Sequence, residues 1–346
     1  MPRRVTIQMV ADKAGCSPTT VSLALRGDER ISGATKEMVW EIAEELGYVS
    51  PALTKRKAVP DPKVIGVVGR FELGLHQIIT RDIVSAAQKD GFDVIIKDVD
   101  LYPRPIDALE SMYNLLVKTV IVIEPNFDHV PARYSPQVVI GQEVDRDKTA
   151  LVSTVHKNGC SELMAHLRKY GHRHVIYLDS PFSPAAAQRL KALEGAAAEN
   201  NIEMTVKKGG NTVTDGYDST VEMLSELWNE NARSGSFVER RGELGQYTAI
   251  LCYNDDCAEG AYIAMLKAGL SVPGDISLAA FGDTELGKSK IFSLTSVGLN
   301  HKETARLAYQ EAKRIHFKGF RRGGVIEVPT FLVERSSTGP ANFLIR

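Results

Sequence analysis

Between Val5 and Arg26 the chain carries two short helical patterns joined by a tight turn, and this pair restricts the first fifty residues more than any other feature. Thr6 is a good N-cap, because its hydroxyl can accept from a first-turn N–H that has no partner inside the helix. Ile7, Val10, Ala11 and Ala14 then recur at helical spacing and give one apolar face. Gly15 stands where that helix must stop, and glycine enters the left-handed backbone of such a stop without strain. Ser17 caps a second helix, and Pro18 fills its first position, where a missing N–H costs nothing. Val21, Ala24 and Leu25 turn this helix back onto the first. Ala11, Gly15 and Val21 lie four and six residues apart, with a small residue for close contact, glycine for the turn and a β-branched residue for the joint core. That is helix-turn-helix spacing; a helical hairpin from some other small α domain is the alternative for the pair alone. Ser32 can cap a third helix with Val39, Ile42, Ala43 and Leu46 on one face and Gly47 as its stop. Three such helices ahead of a linker point to a DNA-reading headpiece.

From Lys63 onward the pattern changes to alternating strands and helices. Val64–Val68 is a continuous apolar run of the buried parallel-strand type. The pattern predicts helix over 76–90, strand Phe92–Ile96, helix 105–117, strands Thr119–Ile123 and Gln137–Ile140, and helix Gly159–Tyr170. A second half repeats this alternation with strand Val175–Leu178, helix 185–200, strand Glu203–Val206, helix 216–230, strand Ala249–Cys252, helix 256–268, strand Ile276–Phe281 and helix 302–318. Such alternation demands doubly wound parallel sheets with helices on both faces. The expected division is a headpiece over 1–50, a hinge or linker over 51–62 and a two-lobed core over 63–346. Within the linker, Pro51 can open a short helix through Lys57, which Pro60 and Pro62 end. Trp228 to Gln246 is rich in Gly, Ser and mixed charge and reads as a surface loop, either an interaction site or a solvated insertion.

The chain resembles the lac repressor family of bacterial transcription regulators. The matching phrases are Val5-Thr6-Ile7, Val10-Ala11, Ala14-Gly15, Ser17-Pro18, Thr20 to Leu25, Glu44 to Tyr48 and Pro51-Ala52-Leu53. Further along they are Tyr170 to His174, Asn254-Asp255, Gly269 to Ser277 and Val333 to Thr338, so the likeness spans nearly the whole chain. It implies an α/β core of the periplasmic-binding-protein type, with a ligand held between the lobes. It also implies a homodimer, most simply a repressor, on a near-palindromic double-stranded operator. By the same resemblance Pro18, Thr19 and Leu23 fall at base-reading positions, and Thr6, Ser17, Thr20, Ser22 and Arg26 at or near phosphate-contacting ones. Hydroxyls and a guanidinium near helix N-termini suit phosphate oxygens; Leu23 has no donor for guanine and suits DNA shape or a thymine methyl. In the hinge, Lys57 stands where the family wedges a leucine into the minor groove, Lys55 where arginine is usual and Thr54 where alanine is usual. Lysine can enter a narrow electronegative groove but does not pry base steps apart as an apolar side chain does.

For the cleft, the resemblance implies that Arg189, Asn254 and Asp255 face a small, sugar-like or other polar effector, with His156 beside them. Each has a structural alternative, a surface ion pair for Arg189, a helix cap for Asp255 and a packed core histidine for His156. Ala192-Leu193 replace the family's glycine and aromatic, Val155-His156 its aspartate-asparagine pair, and Gly282 the middle aspartate of its strand-end triplet. Losing those carboxylates removes acceptors that clamp a sugar diol.

Charge and motif content bound the remaining classes. Residues 1–60 hold nine Lys/Arg against seven Asp/Glu, and the whole chain carries a net charge of -1, so DNA binding would be salt-sensitive and lean on dimerisation. The four cysteines, Cys16, Cys160, Cys252 and Cys257, have no metal-ligand spacing and read as reduced thiols; no metal and no cofactor is expected. Met1-Pro2-Arg3-Arg4 leads into helix instead of an apolar signal stretch, and no run approaches membrane-spanning length, so the expected location is the cytoplasm, with no membrane partner. No phosphate-cradling glycine loop, HExxH or GxSxG is present, which leaves an enzyme only as a fold-level possibility. The alternative from another class is a cytosolic solute-binding sensor whose headpiece does not read DNA specifically.

Overall fold

The structure, a computed structural model, describes residues 5–26, 28, 30–46, 48, 63–124, 137–141, 149–180, 186–230, 246–320 and 324–341. The expected hinge helix with Lys55 and Lys57, the stop at Gly47, and residues 231–245 of the long connection lie outside them. The chain forms two compact units, Met1–Lys63 and Val64–Arg346.

The first unit contains α1 (Ile7–Ala14), α2 (Pro18–Leu25) and α3 (Gly33–Leu46). The caps follow from local chemistry. Thr6 accepts from the Met9 N–H and Gly15 closes α1 in the left-handed region at φ 63°. The Ser17 hydroxyl accepts from Thr20 N–H at 3.0 Å, and the Ser32 hydroxyl from Thr35 N–H at 3.2 Å. Val10, Ala11, Ala14, Val21, Ala24, Val39 and Ala43 form the shared core. A Lys13–Glu45 ion pair at 2.6 Å ties α1 to α3 at the surface.

The second unit holds two six-stranded sheets. The amino-terminal lobe orders its strands β2-β1-β3-β4-β5-β11, that is Asp93–Asp98, Val64–Gly69, Val120–Ile123, Val138–Ile140, Ala150–Val155 and Val325–Pro329. All are parallel. Ile121 and Ile123 pack on one face against α4 (Gly74–Lys89) and α10 (His301–Lys318). Val120 and Val122 pack on the other against α5 (Pro105–Asn114). The carboxy-terminal lobe orders β7-β6-β8-β9-β10-β12, that is Glu203–Lys208, His174–Asp179, Ala249–Cys252, Ser277–Gly282, Thr295–Gly298 and Phe331–Val333. Here α8 (Val213–Glu230) and α9 (Asp255–Lys267) cover one face, and α6 (Lys157–Lys169) and α7 (Ala186–Glu199) the other. The apolar strands therefore bury both faces, as a doubly wound sheet requires.

Two details depart from the sequence pattern. β12 pairs antiparallel with β10, so the second sheet is not wholly parallel. The pattern also gives no signal for four strands, β5, β10, β11 and β12. β5 reads as a mixed polar stretch, and the other three have only four, five and three residues, with β11 finding its partner β5 far away in sequence. These strands also carry the crossings, because the chain passes between lobes after β5, after β10 and between β11 and β12.

Candidate nucleic-acid interface and interlobe cleft

On α2, burying Val21 and Ala24 turns the opposite side outward. Thr19, Ser22, Leu23 and Arg26 follow at intervals of three, one and three residues, one helical stripe, with Thr19 and Arg26 exposed. Thr6 and Ser17 are exposed at the two helix N-termini, where free N–H groups and the helix dipole favour anions. Several of these groups also have structural partners. The Ser17 and Thr20 hydroxyls are 2.9 Å apart, and Arg26 Nε donates to the Ser22 carbonyl at 3.0 Å. These bonds fix the orientation of the stripe.

In an open parallel sheet the binding crevice lies beyond the carboxyl ends of the strands, where neighbouring connections leave in opposite directions. Both lobes present that edge to one cleft, and Arg189 of α7 is central to it. Its guanidinium lies 4.3 Å from the Tyr253 ring centroid and 4.6 Å from that of Phe281, and Nη1 donates to the Tyr253 carbonyl. It is 3% exposed, which rules out the surface ion pair. Its Nε has no hydrogen-bond partner among the described residues.

Asn254 and Asp255 do different jobs. Asn254 caps α9, accepting from Cys257 N–H at 2.8 Å and donating to the Asn211 carbonyl at 2.8 Å. Asp255 is therefore not the cap. Its buried carboxylate accepts from Thr284 N–H at 2.6 Å, Thr284 Oγ1 at 2.8 Å and Ser296 Oγ at 2.7 Å. Burial pushes its carboxyl up to about 6 against those three bonds. His156, where α6 begins, is 5% exposed and neither ring nitrogen has a hydrogen-bond partner among the described residues. Burial, with the Arg189 charge nearby, pushes its imidazole down to about 3, so the ring is neutral at physiological pH.

The structure adds residues that pattern reading passes over. Glu124 follows directly on β3, and His76 lies in the first turn of α4. His76 Nδ1 accepts from Arg70 N–H at 3.0 Å, which leaves the proton on Nε2, 3.6 Å from Glu124 Oε2. Burial works to raise the Glu124 carboxyl; His76, Arg189 and Arg70 more than reverse it, holding it below its usual value. The signal available for Glu124 is its place at the carboxyl end of a strand beside β1.

Among the described residues two small cavities flank Arg189. About 40 Å³ lies among His76, Glu124, Arg189, Tyr253, Asn254 and Asp255. About 20 Å³ lies on the other side of Arg189, beside His156, Glu124 and Thr304. Each of these two cavities has room for a few waters. Among the described residues no group of three or more His, Cys, Asp and Glu is arranged to hold a metal ion, and all four cysteines are free thiols. No described helix is long and apolar enough to cross a membrane.

A helix-turn-helix unit followed by a two-lobed periplasmic-binding-protein-like core defines a class of ligand-linked DNA-binding regulators. Residues 6–50 match the family of bacterial regulatory proteins of the lacI type, and residues 164–338 the periplasmic binding protein-like domain. The chain is 26% identical over 354 residues to the lactose operon repressor of Escherichia coli (strain K12), covering 96% of this chain and 91% of that protein. Its fold matches the crystal structure of the lac repressor dimer bound to operator and the anti-inducer ONPF at a TM-score of 0.66 and 24% identity, over 97% and 100% of the two chains. It also matches a LacI family regulator from Arthrobacter sp. FB24 in complex with lactose at a TM-score of 0.68 and 19% identity, over 80% and 99%. The chain belongs to the LacI family: it is a DNA-binding transcription regulator with no enzymatic role.

Proposed function

We propose that this regulator is a cytoplasmic repressor that binds a near-palindromic operator as a homodimer and is controlled by a small polar effector between its lobes. The observation that carries the DNA half is the α2 stripe, in which Thr19, Ser22, Leu23 and Arg26 face outward while Val21 and Ala24 are sealed in the headpiece core. In this reading Pro18, Thr19 and Leu23 meet base edges. Thr6, Ser17, Thr20, Ser22 and Arg26 meet phosphates. Residues 1–50 read DNA, 51–62 form the hinge with Lys55 and Lys57 at the minor groove, and 63–346 bind effector and dimerise. The lac repressor dimer on its operator supports two-fold docking, with recognition helices in successive major grooves.

The effector half rests on Arg189 and His156, buried polar groups that face the cleft with nitrogens unpaired among the described residues. Buried unpaired donors are costly, and a ligand oxygen would satisfy them. Asn254 and Asp255 line the opposite side with most of their hydrogen bonds already made within their own lobe. The lactose-bound Arthrobacter relative supports a sugar-like ligand. Changes in lobe closure would be coupled to operator affinity, the link between the two sites.

Selection of bound duplexes from a random DNA pool by the full-length protein, at stated salt, tests the DNA half. Recovery of a two-fold symmetric motif is the expected result. No enrichment from a folded dimer, with or without a panel of sugars, would overturn it in favour of a sensor that does not read DNA.

A further inference from the structure

Helix α4 starts without a cap of its own. Leu73 occupies the N-cap position, offers no side-chain acceptor, and the first turn carries no acidic residue. A helix N-terminus left this way has several N–H groups without partners and the positive end of its dipole uncompensated. The compensation comes from the other lobe. The Asp256 carboxylate, on the first turn of α9, lies with its oxygens 3.7 and 3.8 Å from the position a Cβ on Gly74 would take. The carboxylate thus lies against the first turn of α4, at the positive end of its dipole. Asp256 is not needed to cap α9, because Asn254 already does so. Two helix N-termini, one from each lobe, thus converge on one carboxylate that lines the cleft.

We propose that Asp256 is the interlobe latch: its charge compensates the N-terminus of α4 from across the cleft only while the lobes are shut, and so sets how readily they part. Parting the lobes removes the carboxylate and leaves the first turn of α4 to water. The two helices belong to different sheets, so this contact between charge and dipole links the integrity of α4 to the closed arrangement. The latch operates whichever molecule fills the cleft, and whether or not the headpiece reads DNA.

Hydrogen exchange and small-angle scattering on the ligand-free full-length protein test it. With Asp256→Ala, amides at the start of α4 should exchange about five- to tenfold faster, the rate equivalent of a lost charge at a helix N-terminus, and the radius of gyration should rise. Asp256→Asn, which keeps an acceptor oxygen without the charge, should fall between wild type and alanine, and serves alone if the alanine variant fails to fold. Adding Leu73→Asp to Asp256→Ala supplies a cap from within the amino-terminal lobe. The double variant should recover slow exchange in α4 while its radius of gyration stays enlarged. Unchanged exchange and radius in Asp256→Ala, or in Asp256→Asn where only that variant folds, would overturn the proposal. So would recovery of both readouts in the double variant, which would make Asp256 a helix cap with no hold on the lobes.

Discussion

Thr330 holds Gly159 at the crossing between lobes: its hydroxyl accepts from Gly159 N–H at 3.1 Å and donates to the Val155 carbonyl at 3.0 Å. A Cβ added at Gly159 would lie 2.4 Å from Val297 Cγ1 and 2.7 Å from Thr330 Oγ1, distances that force the backbone to move. Gly159→Ala should therefore lower stability by about 1–3 kcal/mol through overpacking. Thermal unfolding of the variant checks this, and a midpoint equal to that of wild type would contradict the packing described.

Ser17 serves the headpiece as a cap before it serves DNA. Ser17→Ala should destabilise the headpiece by about 1 kcal/mol. The same variant should weaken operator binding for every sequence alike. Circular dichroism and a binding titration separate the two effects.

Arg26 and Leu23 lie on one stripe but should behave differently. Arg26→Ala should reduce affinity across all duplexes and flatten the salt dependence by about one unit of slope. Leu23→Ala should instead relax preference at one operator position, by about 1–3 kcal/mol of discrimination. Titrations at several salt concentrations with matched and single-mismatch duplexes distinguish these outcomes.

Asp255 makes stability fall as pH rises. Its folded carboxyl titrates at about 6, above the ordinary value of 3.8, so between those values the folded state holds the proton that the unfolded state has released. This contribution is fully present below about 3.8 and is lost as pH climbs through 6, a change of about 3 kcal/mol. Asp255→Asn should keep the acceptor for Thr284 and remove this dependence. Unfolding midpoints for both proteins at about pH 5 and pH 7.5, either side of that titration, should show a smaller gap between the two conditions in the variant.

The Arg189 guanidinium is held by ring faces and a backbone carbonyl without a carboxylate salt bridge among the described residues. Arg189→Lys should abolish the response to an effector while leaving ligand-free operator affinity within about threefold, because lysine lacks the planar fork that two rings can clamp. Operator release on adding sugars measures it.

What the sequence makes legible is whatever is decided locally. Thr6, Gly15, Ser17 and Pro18 act on backbone groups within four residues, and each does in the structure what its chemistry implies. Apolar runs such as Val64–Gly69 and Ala249–Cys252 name themselves as buried strands. The cleft is legible only in part. Resemblance points to Arg189, Asn254 and Asp255, but the division of labour between Asn254 and Asp255 depends on Thr284 and Ser296, 29 and 41 residues away from Asp255. Glu124, His76 and Asp256 stay hidden because their significance arises only when two sheets meet. The phrase Val333 to Thr338 proves to be stitching, since Arg335 pairs with Asp283, and the Ser337 hydroxyl bonds Leu278 and Thr295.

The placement of β11 bears on how such a chain is made. The amino-terminal sheet begins with Val64, yet its last strand is Val325–Pro329, which arrives only after every strand of the other sheet but β12 has been synthesised. Helix α10, which packs on the same early strands, is also a late arrival. A nascent chain on the ribosome cannot finish its first lobe before it has nearly finished its second. Until then the outer edge of β5 stands open to pairing with other chains, and the two lobes reach maturity together.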